Sequence, residues 1–170
     1  ELASQGTDKV SSTISYTLTE NVEQLYLTGI SGLSGTGNGR NNIIYGNSGN
    51  NLLSGDAGND SLNGGLGNDS LDGGQGNDTL VGGLGDDIYL LGIGSGRDLI
   101  DNKDNLGNDI LLLSTGITTE QVWLRQLGND LEVSIIGTTN SSKVKGWYGA
   151  DSANKIDSID ESKISDELKS

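Results

Sequence analysis

Large apolar residues recur at a fixed interval through the middle of the chain: Ile44, Leu53, Leu62, Leu71, Leu80 and Tyr89, each nine positions after the last. Around them Gly46–Leu90 divides without insertion into GNSGNNLLS, GDAGNDSLN, GGLGNDSLD, GGQGNDTLV and GGLGDDIYL. A poorer unit, GNGRNNIIY, precedes them at Gly37–Tyr45. A constant period of this kind marks a repeat architecture. The last three residues of each unit read as a very short strand whose middle side chain points inward. The first six carry glycine at the first, usually the second, and the fourth position. Glycine enters positive φ at little cost, so this segment predicts a tight turn. Stacked units give two thin parallel sheets, an apolar seam between them and turns along both edges. Successive turns alternate edges, so turns eighteen residues apart become neighbours.

The flanks keep a β pattern without the glycine turns. Ile14, Tyr16 and Leu18 alternate with Ser and Thr, and Leu25, Leu27, Ile30 and Leu33 follow a polar turn at Glu20–Asn21. Alternation predicts half-buried strands, read as one or two wider coils that close the open end of the sheets. After Leu90 the register slips by two residues at Gly94–Ile100 and by two more at Gly107–Leu111. From Ile110 to Tyr148 the pattern predicts antiparallel pairing. Thr118 or Thr119 caps a helical turn before Gln121, and Val122–Leu127 and Leu131–Ile136 flank a hairpin at Gly128-Asn129-Asp130. Lys143–Tyr148 forms a third strand. Trp123 and Trp147 read as the bulk of a small cap's core, with a sugar-binding platform as the alternative. The expected chain is all-β: N-terminal capping coils over 1–36, a parallel β-roll (a right-handed β-helix) over 37–109, an antiparallel cap over 110–150 and an acidic tail over 151–170.

Chemistry enters at the sixth position of each unit, which carries Asp60, Asp69, Asp78 and Asp87. Neighbouring turns then offer several carbonyl oxygens and two carboxylates, with no nitrogen or sulfur donor. Such a flexible oxygen cage suits Ca²⁺, whereas Mg²⁺ demands stricter geometry. The net charge is −14, and no Lys or Arg lies between Asn41 and Gly96. Stacking the turns without a cation brings carboxylates to about 4–6 Å, at roughly 3–4 kcal/mol per pair for an effective dielectric near 20. Several such pairs exceed the roughly 5–15 kcal/mol net stability of a small domain. With 32% hydrophobic residues and 28 Gly among 170, the metal-free composition resembles that of disordered chains. Folding and metal binding are therefore expected to be one event.

Charge and composition also exclude. Nucleic acid requires a basic footprint that is missing. Without His or Cys there is no usual zinc set, no Ser-His-Asp triad and no thiol nucleophile, and no enzymatic activity is expected. Asp86 and Asp87 read as a solvated neighbour and a ligand rather than an acid–base pair. No apolar run is long enough to span a membrane, and no signal peptide opens the chain. It starts with Glu, not Met, and is expected to be an excerpt of a longer protein.

The repeat resembles the RTX repeats of proteins that Gram-negative bacteria secrete by type I export. In that family one turn gives carbonyls from its second and fourth residues, its partner those of its first and third, and both sixth-position aspartates contribute. The resemblance implies one site from Asp56, Gly58 and Asp60 with Gly73, Gln75 and Asp78. On the facing edge it implies Gly65, Gly67 and Asp69 with Gly82, Leu84 and Asp87. A further site uses Gly74, Gly76 and Asp78 with the shifted turn ending at Asp98. Gly83, Gly85, Ser95 and Asp109 complete the candidate ligands, while Asp101 and Asp104 are read as solvated. Asn42 and Asn51 depart from the pattern and leave one carboxylate per ion, which predicts weak calcium binding there or none. Residues Gly128–Val133 (GNDLEV) and Gly146–Tyr148 (GWY) resemble the cap that follows the last repeat block of RTX haemolysins and adenylate cyclase toxin.

That resemblance implies a secreted, extracellular module that binds several Ca²⁺ ions and folds on doing so, serving the export of a larger toxin, adhesin or exoenzyme. Its partners would be calcium and the type I machinery, with contact to a host cell or surface through the parent protein. The export signal of such proteins lies at the extreme C-terminus, and Asp151–Ser170 would be its beginning. An adhesin or polysaccharide-binding roll is the alternative.

Overall fold

A computed structural model describes residues 6–102, 107–149 and 155–160. The strands are β1 (Lys9–Ser12), β2 (Tyr16–Thr17), β3 (Gln24–Leu27), β4 (Ser34–Thr36), β5 (Ile43–Tyr45), β6 (Leu52–Ser54), β7 (Ser61–Leu66) and β8 (Ser70–Asp72). They continue with β9 (Thr79–Leu84), β10 (Ile88–Leu91), β11 (Arg97–Ile100), β12 (Ile110–Leu113), β13 (Val122–Leu127), β14 (Asp130–Ile135), β15 (Ser141–Val144) and β16 (Ser158–Asp160). One sheet runs β1-β3-β5-β7-β9-β11-β15-β14-β13 and the other β16-β12-β10-β8-β6-β4-β2. Consecutive strands up to β12 thus alternate between two parallel sheets, as a roll of nine-residue half-coils requires. The fold is the expected parallel β-roll.

Register follows the repeat. Ile44 lies opposite Leu62 and Leu62 opposite Leu80 on one sheet, and Leu53, Leu71 and Tyr89 stack on the other. The two slips are absorbed in the connections: Leu80 pairs with Ile100 and Tyr89 with Leu111. Each of these inward residues is fully buried, worth about 1.5–3 kcal/mol apiece in area removed from water. The buried Tyr89 hydroxyl accepts from Gly82 N–H (3.0 Å) and donates to Asn102 Oδ1 (3.1 Å). Successive turns pack backbone on backbone. Gly76, at φ +149°, shows why glycine recurs: a Cβ there would collide with the Gly58 carbonyl.

The N-terminal strands extend the same stack, since β1 pairs with β3 and β2 with β4, both in parallel. Ile14 and Ile30, expected to be half-buried, are instead exposed. The Ser12 hydroxyl bonds both the N–H and the carbonyl of Ile14 (3.2 and 2.7 Å), and this local turn lifts Ile14 out of the ladder.

At the other end the hairpin forms as read, with β13 antiparallel to β14 around Gly128 (φ +63°) and Asn129. Thr118 N–H bonds Gln121 Oε1 (2.9 Å) at the 3₁₀ turn Thr119–Gln121. Several expectations change. Antiparallel pairing starts only at Val122, because Ile110–Leu113 still pairs in parallel with β10. The third strand is Ser141–Val144 rather than Lys143–Tyr148, since it must match β11 in parallel on one side and β14 on the other. Trp123 is 66% exposed and is not core. Its cross-strand partner is Ser134, on the face opposite buried Leu131, Val133 and Ile135, whereas Trp147 packs partly against the core. Asp101 is buried rather than solvated and pairs with Lys145 (3.1 Å). Part of the acidic tail belongs to the stack, because β16 pairs in parallel with β12 and Ile156 is buried. Asp104 and most of the tail lie outside the described residues.

Candidate metal centre

The sixth-position carboxylates form a ladder along each edge of the roll. On one edge Asn42 N–H donates to Asp60 Oδ1 (2.6 Å), Asp60 N–H to Asp78 Oδ1 (2.8 Å) and Asp78 N–H to Asp98 Oδ1 (3.1 Å). On the other, Asn51 N–H donates to Asp69 Oδ1 (2.6 Å), Asp69 N–H to Asp87 Oδ1 (2.8 Å) and Asp87 N–H to Asp109 Oδ1 (2.8 Å). Each acid thus uses one oxygen to satisfy the backbone of the neighbouring turn. All of these aspartates are buried.

The second oxygen is the informative one. The Oδ2 atoms of Asp60, Asp69 and Asp78 are buried and accept no hydrogen bond. Each points at the first glycine of its own turn (Gly55, Gly64 and Gly73), where a Cβ would strike it. An orphaned buried carboxylate oxygen is costly, and such groups are normally paired or bound to a metal. Burial pushes the Asp60, Asp69 and Asp98 carboxyls up to about 7; the ladder N–H bonds oppose the rise and neighbouring acids add to it. Asp78 is raised by the same burial and by Asp72.

Among the described residues no three acidic side chains converge on one point, so further donors must be backbone carbonyls. The turns supply them at close quarters. Gln75 N–H donates to the Asp56 carbonyl (2.7 Å) and Gly58 N–H to the Gln75 carbonyl (2.8 Å). Gly67 N–H donates to the Leu84 carbonyl (2.9 Å), Gly76 N–H to the Ser95 carbonyl (3.1 Å), and Gly65 pairs with Gly83. These carbonyls are bonded between turns, yet each carbonyl oxygen has two lone pairs. An all-oxygen set of paired carboxylates and clustered carbonyls fits Ca²⁺. Such an ion would supply the positive charge that the stacked acids lack.

The ends of the ladders differ from their middles. Asp109 Oδ2 accepts from Asn102 Nδ2 (2.7 Å), which also donates to the Lys155 carbonyl (2.9 Å), so an amide serves this acid. Asp109 N–H donates to Asp157 Oδ2 (2.8 Å), a rung the sequence reading missed. Its signal was present: Asp157-Ser158-Ile159 repeats the spacing of Asp60-Ser61-Leu62, and Ile159 lies opposite Leu111. A second missed feature is the fifth-position amide ladder. Asn41, Asn59 and Asn77 Oδ1 accept from Asn59, Asn77 and Arg97 N–H on one edge. Asn50, Asn68 and Asp86 Oδ1 accept from Asn68, Asp86 and Asn108 N–H on the other.

Comparison with known proteins agrees with this geometry. The family model of the RTX calcium-binding nonapeptide repeat (4 copies) matches residues 36–71, 56–89 and 65–100. No curated protein matches the chain. Residues 36–100, which hold the ladder acids from Asp60 to Asp98, therefore carry repeats of the RTX calcium-binding nonapeptide family.

Proposed function

We propose that the chain is the calcium-dependent folding and export module of a larger bacterial protein secreted by the type I route: unfolded in its repeat block at cytosolic calcium and folded outside the cell. The observation that carries this reading is the row of buried, unpartnered Oδ2 atoms at Asp60, Asp69 and Asp78. A stack that buries carboxylates without counter-charge holds together only when a cation supplies it. The candidate ligands are those named from the sequence, with affinity in the roughly 10⁻⁴–10⁻³ M range of extracellular modules. Calcium titration followed by circular dichroism tests it. A large gain of β signal across the submillimolar range is expected, and a spectrum in chelator already identical to that in calcium would sink the proposal.

A recognition role gains one specific observation, the exposure of Trp123 on the edge strand β13. Trp123→Ala should leave calcium-induced folding intact. Loss of cell-surface or glycan binding in that variant would favour recognition, and unchanged binding would discard it.

A further inference from the structure

The turns ending at Asn42 and Asn51 are built differently from the acidic ones. In the acidic turns the second residue is left-handed: Asp56 (φ +74°), Gly65 (+107°), Gly74 (+85°) and Gly83 (+112°). Their fourth residues, Gly58, Gly67, Gly76 and Gly85, are left-handed as well. In the two asparagine turns the second residues are Asn38 and Asn47 and the fourth are Arg40 and Gly49. None of these four has positive φ.

That change of hand reorients the amides. Asn38 N–H donates to Asn42 Oδ1 and Asn47 N–H to Asn51 Oδ1, both at 2.7 Å. These two oxygens lie against Gly37 and Gly46 as the orphaned Oδ2 of Asp60 lies against Gly55. The atom left bare in an acidic turn is therefore satisfied within the protein here. The rest of each asparagine pair is also consumed. Asn38 Oδ1 accepts from Arg40 N–H (3.0 Å) and Asn42 Nδ2 (3.2 Å), and Asn38 Nδ2 donates to the Thr19 and Val22 carbonyls (both 2.8 Å). Asn47 Oδ1 accepts from Gly49 N–H (2.8 Å) and Asn51 Nδ2 (3.1 Å), while Asn51 Nδ2 also reaches the Leu33 carbonyl (3.3 Å). Carbonyls of the preceding coil that would face a cation in an acidic turn face amide nitrogens instead.

We propose that the Asn38–Asn42 and Asn47–Asn51 pairs are protein-only clasps that replace calcium, so that the coils up to Ser54 form a metal-independent platform on which the acidic turns stack when calcium arrives. The sequence mark of a clasp is asparagine at both the second and sixth positions. In the four regular units whose sixth residue is aspartate (Asp60, Asp69, Asp78 and Asp87) the second is Asp56, Gly65, Gly74 or Gly83. Neutral amides bring no mutual repulsion, so this end of the roll lacks the electrostatic cost that the cation offsets elsewhere.

The proposal rests on the calcium reading only for the contrast between the two blocks, and hydrogen exchange with mass spectrometry separates them. In the whole chain under chelator, amides of residues 16–54 should exchange at least about tenfold more slowly than those of 55–100, and calcium should protect both blocks. Equal, rapid exchange of both blocks in chelator overturns the clasps. Protection of 55–100 in chelator overturns the calcium reading instead. Two variants sharpen the result. Asn38→Ala with Asn47→Ala should abolish protection of 16–54 in chelator yet still fold in calcium. Asn38→Gly with Asn42→Asp, which restores the acidic pattern, should add an ion in the native mass spectrum at saturating calcium. An unchanged ion count counts against the proposal.

Discussion

The coils before Ser54 and those after it share one core and differ at their turns. Leu25, Ile44 and Leu53 in the first block are as fully buried as Leu62, Leu71 and Leu80 in the second, and the same fifth-position amide ladder runs through both. What changes is the rim: paired amides that satisfy one another in the first block, carboxylates with an oxygen left over in the second. A uniform spine cannot make one half of a roll depend on a cation and leave the other independent. On the proposed reading the dependence resides in the turns, where the second residue's N–H does or does not meet the sixth side chain, as it does in the Asn38–Asn42 and Asn47–Asn51 pairs.

The spine itself is the strongest test. With calcium saturating, Leu53→Ala and Leu71→Ala should each lower stability by about 2–5 kcal/mol in urea unfolding. Similar costs in the two blocks mean that the core is shared; a negligible cost at Leu53 beside a large one at Leu71 would break the comparison. Next comes Asp78→Asn, in the middle of its ladder. It removes a charge between Asp60 and Asp98, and the calcium midpoint should rise about tenfold, or about 1.4 kcal/mol. Asn51→Ala opens one clasp but keeps the backbone N–H that donates to Asp69, and it should raise that midpoint less than Asp78→Asn does.

A smaller, conditional effect concerns pH. Burial raises the Asp60, Asp69 and Asp98 carboxyls to about 7 in the folded chain, from an ordinary value of 3.8. The metal-free folded state thus binds more protons than the unfolded one between these limits. The stability these three groups contribute is fully present below about 4 and lost as pH rises through about 7. In chelator, β signal from the acidic block should therefore grow on acidification, while hydrogen-exchange protection of residues 16–54 stays flat. The smallest expected change is at Asp56, a left-handed residue where three sister units have glycine. Asp56→Gly should gain about 0.5–1 kcal/mol by relieving that conformation, read as a higher melting temperature in calcium.

Much of the roll was legible in the residues. The nine-residue period located every inward side chain from Ile44 to Tyr89 and the start of each strand from β5 to β10, because a tight turn and a short strand are local events. But β7 and β9 run on to Leu66 and Leu84 through the glycines of the next unit. The acids on the rim were equally plain. Past Leu90 the register finds its partners across irregular connections, so β15 starts two residues before the strand that the pattern predicts and β16 lies in a stretch whose composition reads as tail. Trp123 misled because composition makes a tryptophan look like core; only the pairing of β13 with β14 shows which face it takes.

The chain by itself determined the period, the apolar spine and the acidic rim, all encoded within single units. The Asn38–Asn42 and Asn47–Asn51 bonds also close within single units, and the tertiary structure decided which groups of other coils complete each rim. Asn42 Nδ2 donates to the Val22 carbonyl and Asn51 Nδ2 to the Leu33 carbonyl, each on a preceding coil, and Asn102 Nδ2 donates both to Asp109 Oδ2 and to the Lys155 carbonyl. A hydrogen bond between coils exists only once stacking has brought its two ends within about 3 Å, and no pattern inside one nonapeptide carries that information.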